Sequence, residues 1–309
     1  MLDAKDMYEL IKTARTAYRR SNVKLTVPQP QYEPSGPDYI RLSALGLCVD
    51  QHGYEKLNVK PDYPRLTLEE NEEKNWITDH GSYVAPMVQE PLMWLAMTTP
   101  GITFWPEKPY LSDELHLSGR LDGLLEVDGV QYVLEIKDAE GQQSRSVGEP
   151  RPQYGLQTLG GQMMSNVRRG FIIIVSKWSW NVYQLREEYD QHYLIYNERN
   201  EVWTPPKWVK NFNSPDFLNY GTVKQVVADA QQAIASIAQA GTAPPPFDAL
   251  NDPLSWQCFW HFDKPRAYKN GNSSDGEGRV NCPWAKRCQG LEDRVYKTRK
   301  TEEGYEFTE

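Results

Sequence analysis

The stretch "HLSGRLDGLLEVDGVQYVLEIKDA", residues 116–139, constrains the fold more than any other. Apolar and polar residues alternate on both sides of Asp128-Gly129, a dipeptide that suits a tight hairpin turn. The alternation predicts two antiparallel strands. Side chains at i and i+2 share a strand face, so Val133, Glu135 and Lys137 lie together while Leu134 and Ile136 face a core. Asp122 ends the first strand of this reading and can meet Glu135 across the pair. An acid and a lysine side by side, with a second acid opposite, are either a surface ion pair on a solvated face or a site.

The rest of the chain reads as α/β. Residues 3–20 predict a helix, followed by a Pro-rich connector, so 1–40 form an N-terminal helix and connector. "YIRLSALGLCVDQ" predicts a short helix carrying Cys48. Residues 65–97 suggest a helical segment, charged first and apolar later, that Pro86 and Pro91 must break or kink. After the hairpin, "PQYGLQTLGGQMMSNVRR" reads as a helix despite its glycines. "GFIIIVSK" is a β-branched run of the kind buried on both faces of a sheet. "NVYQLREEY" and "YLIYNE" alternate as further strands. Residues 222–240 predict a helix capped by Thr222, with Val223, Val226, Val227, Ala230, Ile234 and Ile237 on one face and Gly241 as its stop. Residues 250–309 form a Trp-rich, cysteine-bearing C-terminal segment, with "KNGNSSDGEGR" as a loop. The order predicts one domain over 1–309, a mixed central sheet flanked by helices.

With 309 residues the chain can bury a large core. A net charge of −8 argues against a generally basic nucleic-acid coat and leaves room for a local basic groove. The start of the chain is charged and amphipathic, and no run reaches the length of a membrane span, so a soluble chain with no membrane partner is expected. The compartment expected is a reducing cytoplasm, where four cysteines point to buried thiols or ligands before disulfides.

Asp122, Glu135 and the Ile136 carbonyl form a hard oxygen set suited to Mg²⁺ or Mn²⁺. Protonated Lys137 is no ligand. It can orient an attacking water, assist its deprotonation, or stabilise charge on a phosphoryl oxygen. Together these residues are a plan for metal-assisted phosphodiester hydrolysis.

"GRLDG…EIK" followed by a helix with Tyr154 and Gln157 resembles the PD-(D/E)XK nuclease superfamily, and within it the RecB-like and λ-exonuclease-like branch. The resemblance implies a restriction-endonuclease-like fold. It gives Asp122 and Glu135 as metal ligands, Lys137 as the residue that handles the nucleophile, and Gln157 and Tyr154 as residues that position the substrate strand. Leu121 stands where the superfamily name has proline, and Gly161 where a second helix tyrosine is expected. The family also sets an acid or histidine on the helix before the strands. Glu90, in "QEPLMWLAM", resembles the λ-type Glu-Pro and is the favoured metal ligand; His80, in "TDHGS", is the other candidate.

Cys48 precedes this core, and Cys258, Cys282 and Cys288 follow it. One cysteine before and three after, ending in Cys-x5-Cys, is similar to the AddB nuclease domain and the four-cysteine CRISPR-associated exonucleases. That resemblance implies a [4Fe–4S] cluster joining the N- and C-terminal segments. Zinc on the same four thiolates, or with His261 replacing one, is the alternative.

Trp178 and Trp180 are candidates for base stacking, though core packing suits most tryptophans of this chain better. Arg145, Arg151, Arg168, Arg169 and Lys177 could line a phosphate track. The expectation is a metal-dependent DNA exonuclease acting on ends or single strands in recombination, repair or phage replication, with replication or recombination proteins as possible partners. An endonuclease, a CRISPR-adaptation trimming nuclease and a non-catalytic nucleic-acid-binding subunit are the alternatives.

Overall fold

Two strands joined at Asp128-Gly129 lie within a mixed sheet: β3 (Leu117–Val127) and β4 (Val130–Asp138). Asp128 has φ 50° and Gly129 φ 78°, the pair of positive values that a type I′ hairpin turn needs. The computed structural model describes residues 1–28, 39–45, 48–60, 84–138, 152–175, 180–185, 193–196, 203–204, 220–241, 259–263, 276–280, 295–300 and 305–308.

The chain divides into two compact units, Met1–Gly46 with Glu70–Val227, and Leu47–Glu69 with Ala228–Glu309. In the first, α1 (Ala4–Ser21) opens on a capping box in which the Asp3 and Asp6 side chains each accept the other's backbone N–H. Next come β1 (Ile40–Arg41) and a 3₁₀ turn at Leu42–Ala44. The helix expected over "YIRLSALGLCVDQ" is thus a short strand and a turn, and α2 (Val49–Lys56, in the second unit) begins only after Cys48. Ile40 and Arg41 pair in parallel with Leu117 and Ser118, and this tertiary contact overrides the local helical pattern.

α3 (Pro86–Thr98) starts at Pro86, where a missing N–H costs nothing, and runs on through buried Pro91. β2 (Ile102–Ser112) was not read from the sequence, because Pro106 and Pro109 argue against a strand. The prolines are tolerated because, among the described residues, β2 is an edge strand that pairs with β3 alone. α4 (Pro152–Ser165) then crosses to β5 (Gly170–Val175), which pairs in parallel with β4 and is buried at every residue. β6 (Trp180–Leu185), β7 (Tyr193–Tyr196) and β8 (Trp203–Thr204) extend the sheet antiparallel. Among the described residues the sheet has eight strands.

One face is covered by Met7 and Ile11 of α1 and Val88 and Leu92 of α3, packed on Phe104, Leu125, Tyr132, Leu134, Ile136, Phe171 and Ile173. α4 lies on the other side. A side chain at its Gly160 would strike Leu45 and Leu42, at 2.6 and 2.8 Å, and one at Gly161 would strike Leu121 at 2.6 Å. The glycines that weaken the helix pattern are what let the 3₁₀ turn and the sheet close on it. This is a mixed central sheet flanked by helices, as the restriction-endonuclease-like reading expects.

α5 (Tyr220–Ala240) begins two residues before Thr222, so that residue lies inside the helix, and Gly241 (φ 78°) ends it as expected. The second unit holds a four-stranded antiparallel sheet of β9 (Phe259–Asp263), β10 (Gly276–Val280), β11 (Val295–Lys300) and β12 (Tyr305–Thr308). The end of the stretch expected to be a loop, from Gly276 on, is strand β10. No helix among the described residues is long and apolar enough to cross a membrane.

Candidate functional site

The site forms where the β3–β4 ladder opens. Its rungs run from Val127–Val130 to Gly123–Leu134 and stop. Beyond that rung β4 continues to Asp138 against β5, while β3 is paired with β2 and, at Leu117 and Ser118, with β1. Asp122 is the first residue past the last rung. It does not end its strand, which runs from Leu117 to Val127 around it. Its Oδ2 accepts the Ile136 N–H at 2.7 Å, so the carboxylate takes a donor of β4 where the ladder to β3 has ended.

Glu135 and Lys137 share one face of β4 and form an ion pair. The Glu135 side chain is 5% exposed and that of Lys137 26%. Burial pushes Glu135 up to about 7 against the pull of the Lys137 ammonium, with Asp122 and Glu107 adding to the rise. Burial works to lower Lys137, but Glu135 and Asp122 outweigh it and hold the ammonium above the ordinary lysine value. The Lys137 Nζ also stands 5.7 Å from the Tyr154 ring centroid, over its face.

Two residues that sequence reasoning missed join this group. Gln89 of α3, 1% exposed, donates from Nε2 to the Asp122 carbonyl at 2.7 Å and to Glu107 Oε1 at 2.9 Å. Glu107 lies on β2, and its Oε2 is 3.6 Å from Arg120 Nη1. Burial raises the Glu107 carboxyl, the Gln89 hydrogen bond opposes this, and Asp122 raises it further. Glu107 has φ 50°, an uncommon value for a non-glycine residue that costs on the order of 1 kcal/mol. The only sequence signal for it is "PEKP", a glutamate between prolines inside an otherwise extended run.

The remaining predicted residues lie as follows. Glu90 is next to Gln89, but its Oε2 accepts from the Tyr18 hydroxyl at 3.1 Å, and that hydroxyl in turn accepts the Leu25 N–H at 3.0 Å. Gln157 is buried, and its amide donates to the carbonyls of Ser43, at 3.1 Å, and Leu45, at 3.5 Å, pinning the 3₁₀ turn to α4. Arg169 donates from Nε to the Met1 sulfur at 3.2 Å, and Arg168 is exposed. Cys48 is buried at the N-terminus of α2. Trp180 is the first residue of β6. His80, Arg145, Arg151, Lys177, Trp178, Cys258, Cys282 and Cys288 lie outside the described residues, and of His261 only its place in β9 is described.

Among the described residues no three Asp, Glu, His or Cys side chains form a group that could by itself hold a metal ion. Mg²⁺ does not require one, since it keeps several waters and takes one or two carboxylates together with substrate phosphate. Asp122 and Glu135 meet that need. They are hard oxygen donors, and Glu135 is a buried acid whose ionised form a cation would favour.

No protein-family model and no curated protein matches the sequence. Among solved structures the chain is similar to SSO0001, with a TM-score of 0.40 and 14% identity over 73% of this chain and 85% of that one. It is also similar to an alkaline exonuclease, LHK-Exo from Laribacter hongkongensis, with a TM-score of 0.31 and 12% identity over 66% of this chain and 93% of that one.

Proposed function

We propose that the chain is a divalent-metal-dependent nuclease that cleaves DNA phosphodiester bonds, acting as an exonuclease on ends or single strands in phage or bacterial recombination, repair or replication. The observation that supports this best is the meeting of Asp122, Glu135 and Lys137 where the β3–β4 ladder opens. Asp122 and Glu135, with the Ile136 carbonyl, would hold Mg²⁺ or Mn²⁺. When bound, the ion would supply Lewis-acid polarisation of the phosphoryl group and a more acidic water.

The protein's own groups divide the remaining work. Lys137, which the neighbouring carboxylates hold above its ordinary value in the metal-free protein, would orient the attacking water, assist its deprotonation or stabilise phosphoryl charge. Tyr154 covers the Lys137 ammonium and limits the positions it can occupy. Gln157 acts at one remove, by fixing the 3₁₀ turn against α4. Glu90, engaged by Tyr18, contributes through water or through the packing of α1 on α3.

Purified protein with Mg²⁺ or Mn²⁺ should shorten end-labelled linear DNA, spare closed circles, and stop in EDTA. Cutting of circular single strands would replace the exonuclease by an endonuclease. Binding without cleavage under any divalent ion would leave only a nucleic-acid-binding subunit.

The same reading extends to a [4Fe–4S] cluster on Cys48, Cys258, Cys282 and Cys288, as the resemblance of their one-before, three-after arrangement to the four-cysteine nucleases implies. Anaerobically purified protein should then be brown and contain about four iron atoms per chain. A colourless protein with one zinc would assign the thiolates to zinc instead.

A further inference from the structure

Glu107 is half-buried beside the proposed metal ligands and has no part in the site expected from the sequence. Its first apparent role is that of a third metal-binding carboxylate. Its contacts argue otherwise. Oε1 accepts a hydrogen bond from Gln89 at 2.9 Å, and Oε2 is held in an ion pair with Arg120 Nη1 at 3.6 Å, so each oxygen already faces a protein partner. Gln89 in turn is fixed by the Asp122 carbonyl at 2.7 Å. The chain of contacts runs from the backbone of a proposed ligand, through a buried amide and a strained glutamate, to a guanidinium. It ends on its most exposed member: the Arg120 side chain is 35% exposed, that of Glu107 15%.

A guanidinium presents five N–H donors in a planar fork, and the contact to Glu107 runs to one terminal nitrogen at a long distance. That leaves the fork oriented but not saturated, the condition in which arginine takes a phosphate by two parallel hydrogen bonds. Arg120 is also two residues from Asp122 on β3, so an anion on it would lie next to the group being cleaved. On the nuclease reading above, on which this inference rests, we propose that Arg120 binds a backbone phosphate adjacent to the scissile one. Glu107 and Gln89 are positioning residues that aim it. The ligand is the sugar–phosphate strand itself, so the contact is independent of base sequence.

The test uses the full chain carrying Glu135→Gln, which blocks turnover, with a fluorescent single-stranded oligonucleotide titrated at several salt concentrations in EDTA. Adding Arg120→Ala should raise Kd about tenfold and flatten the slope of log Kd against log salt by about 0.7, one phosphate contact on a single strand. Arg120→Lys should keep the slope and recover only part of the affinity, because a point charge replaces the fork. Mn²⁺ affinity, measured by calorimetry on the chain with native Glu135, should change less than threefold in Arg120→Ala. An Arg120→Ala protein that matches its parent in Kd and slope overturns the phosphate contact and leaves the nuclease reading standing. So does one that weakens with no change of slope, since that loss is structural. A parent that binds no oligonucleotide at any salt removes the nuclease reading and the phosphate contact with it.

Discussion

β4 and β5 are parallel neighbours with Glu135 beside Ile172 and Lys137 beside Ile174, yet they obey opposite rules. β5 is "GFIIIV", apolar and buried at every position, and its contribution is burial on both faces. β4 is as deeply placed at Leu134 and Ile136 but gives its other face to an acid and a lysine. A buried ion pair is weak as a stabiliser, because desolvation of both groups offsets their attraction. On the proposed reading, β5 builds the sheet and β4 holds charges for the site that stability alone would not select.

The sharpest way to break this comparison is to remove charge from β4 while keeping shape. Glu135→Gln should leave circular dichroism and melting nearly unchanged and lower nuclease activity by on the order of 10³-fold. A mutant that digests DNA at the wild-type rate would return Glu135 to the status of a structural residue.

A finer test separates the strands by pH in the metal-free protein. The Glu135 carboxyl is raised to about 7 in the folded chain, above its unfolded value of about 4.3. Its contribution to stability is therefore complete below the unfolded value and is lost as pH rises through about 7. Lys137→Met leaves that acid without its cation. It should destabilise by up to about 3–5 kcal/mol above pH 7, where the folded chain must hold Glu135 either ionised and unpaired or protonated against its ionised unfolded form, and by less at pH 5, where that difference is smaller. Ile174→Val on β5 should cost about 0.5–1.5 kcal/mol at both pH values, since no titrating group is involved. Urea melts at pH 5 and pH 8 measure all four quantities. Equal pH dependence in the two mutants would mean that Glu135 does not depend on Lys137.

Much of the first unit was legible because its signals are local. Asp128-Gly129 fixed a turn, period two fixed the strands on either side, and the run of isoleucines after Gly170 marked a strand buried on both faces. Glu135 and Lys137 were legible for the same reason, since i and i+2 share a face in any strand. β2 was illegible because a proline is penalised by rule, whereas an edge strand has N–H groups it need not donate. β1 was read as helix because two parallel rungs to β3 are invisible in a window of neighbours.

What the sequence determined by itself is the pair of strands, the turn between them and the shared strand face of Glu135 and Lys137. Each follows from steric and periodic rules that act over a few positions. The tertiary structure decided where the ladder ends and therefore where Asp122 meets β4. It decided that Gln89 and not its neighbour Glu90 bonds to the Asp122 carbonyl, and that Glu107 faces Arg120. Those outcomes depend on how β3 divides its hydrogen bonds among β1, β2 and β4, and on the rotation of α3 over the sheet. Both are set by packing between segments far apart in the chain, which no local pattern encodes.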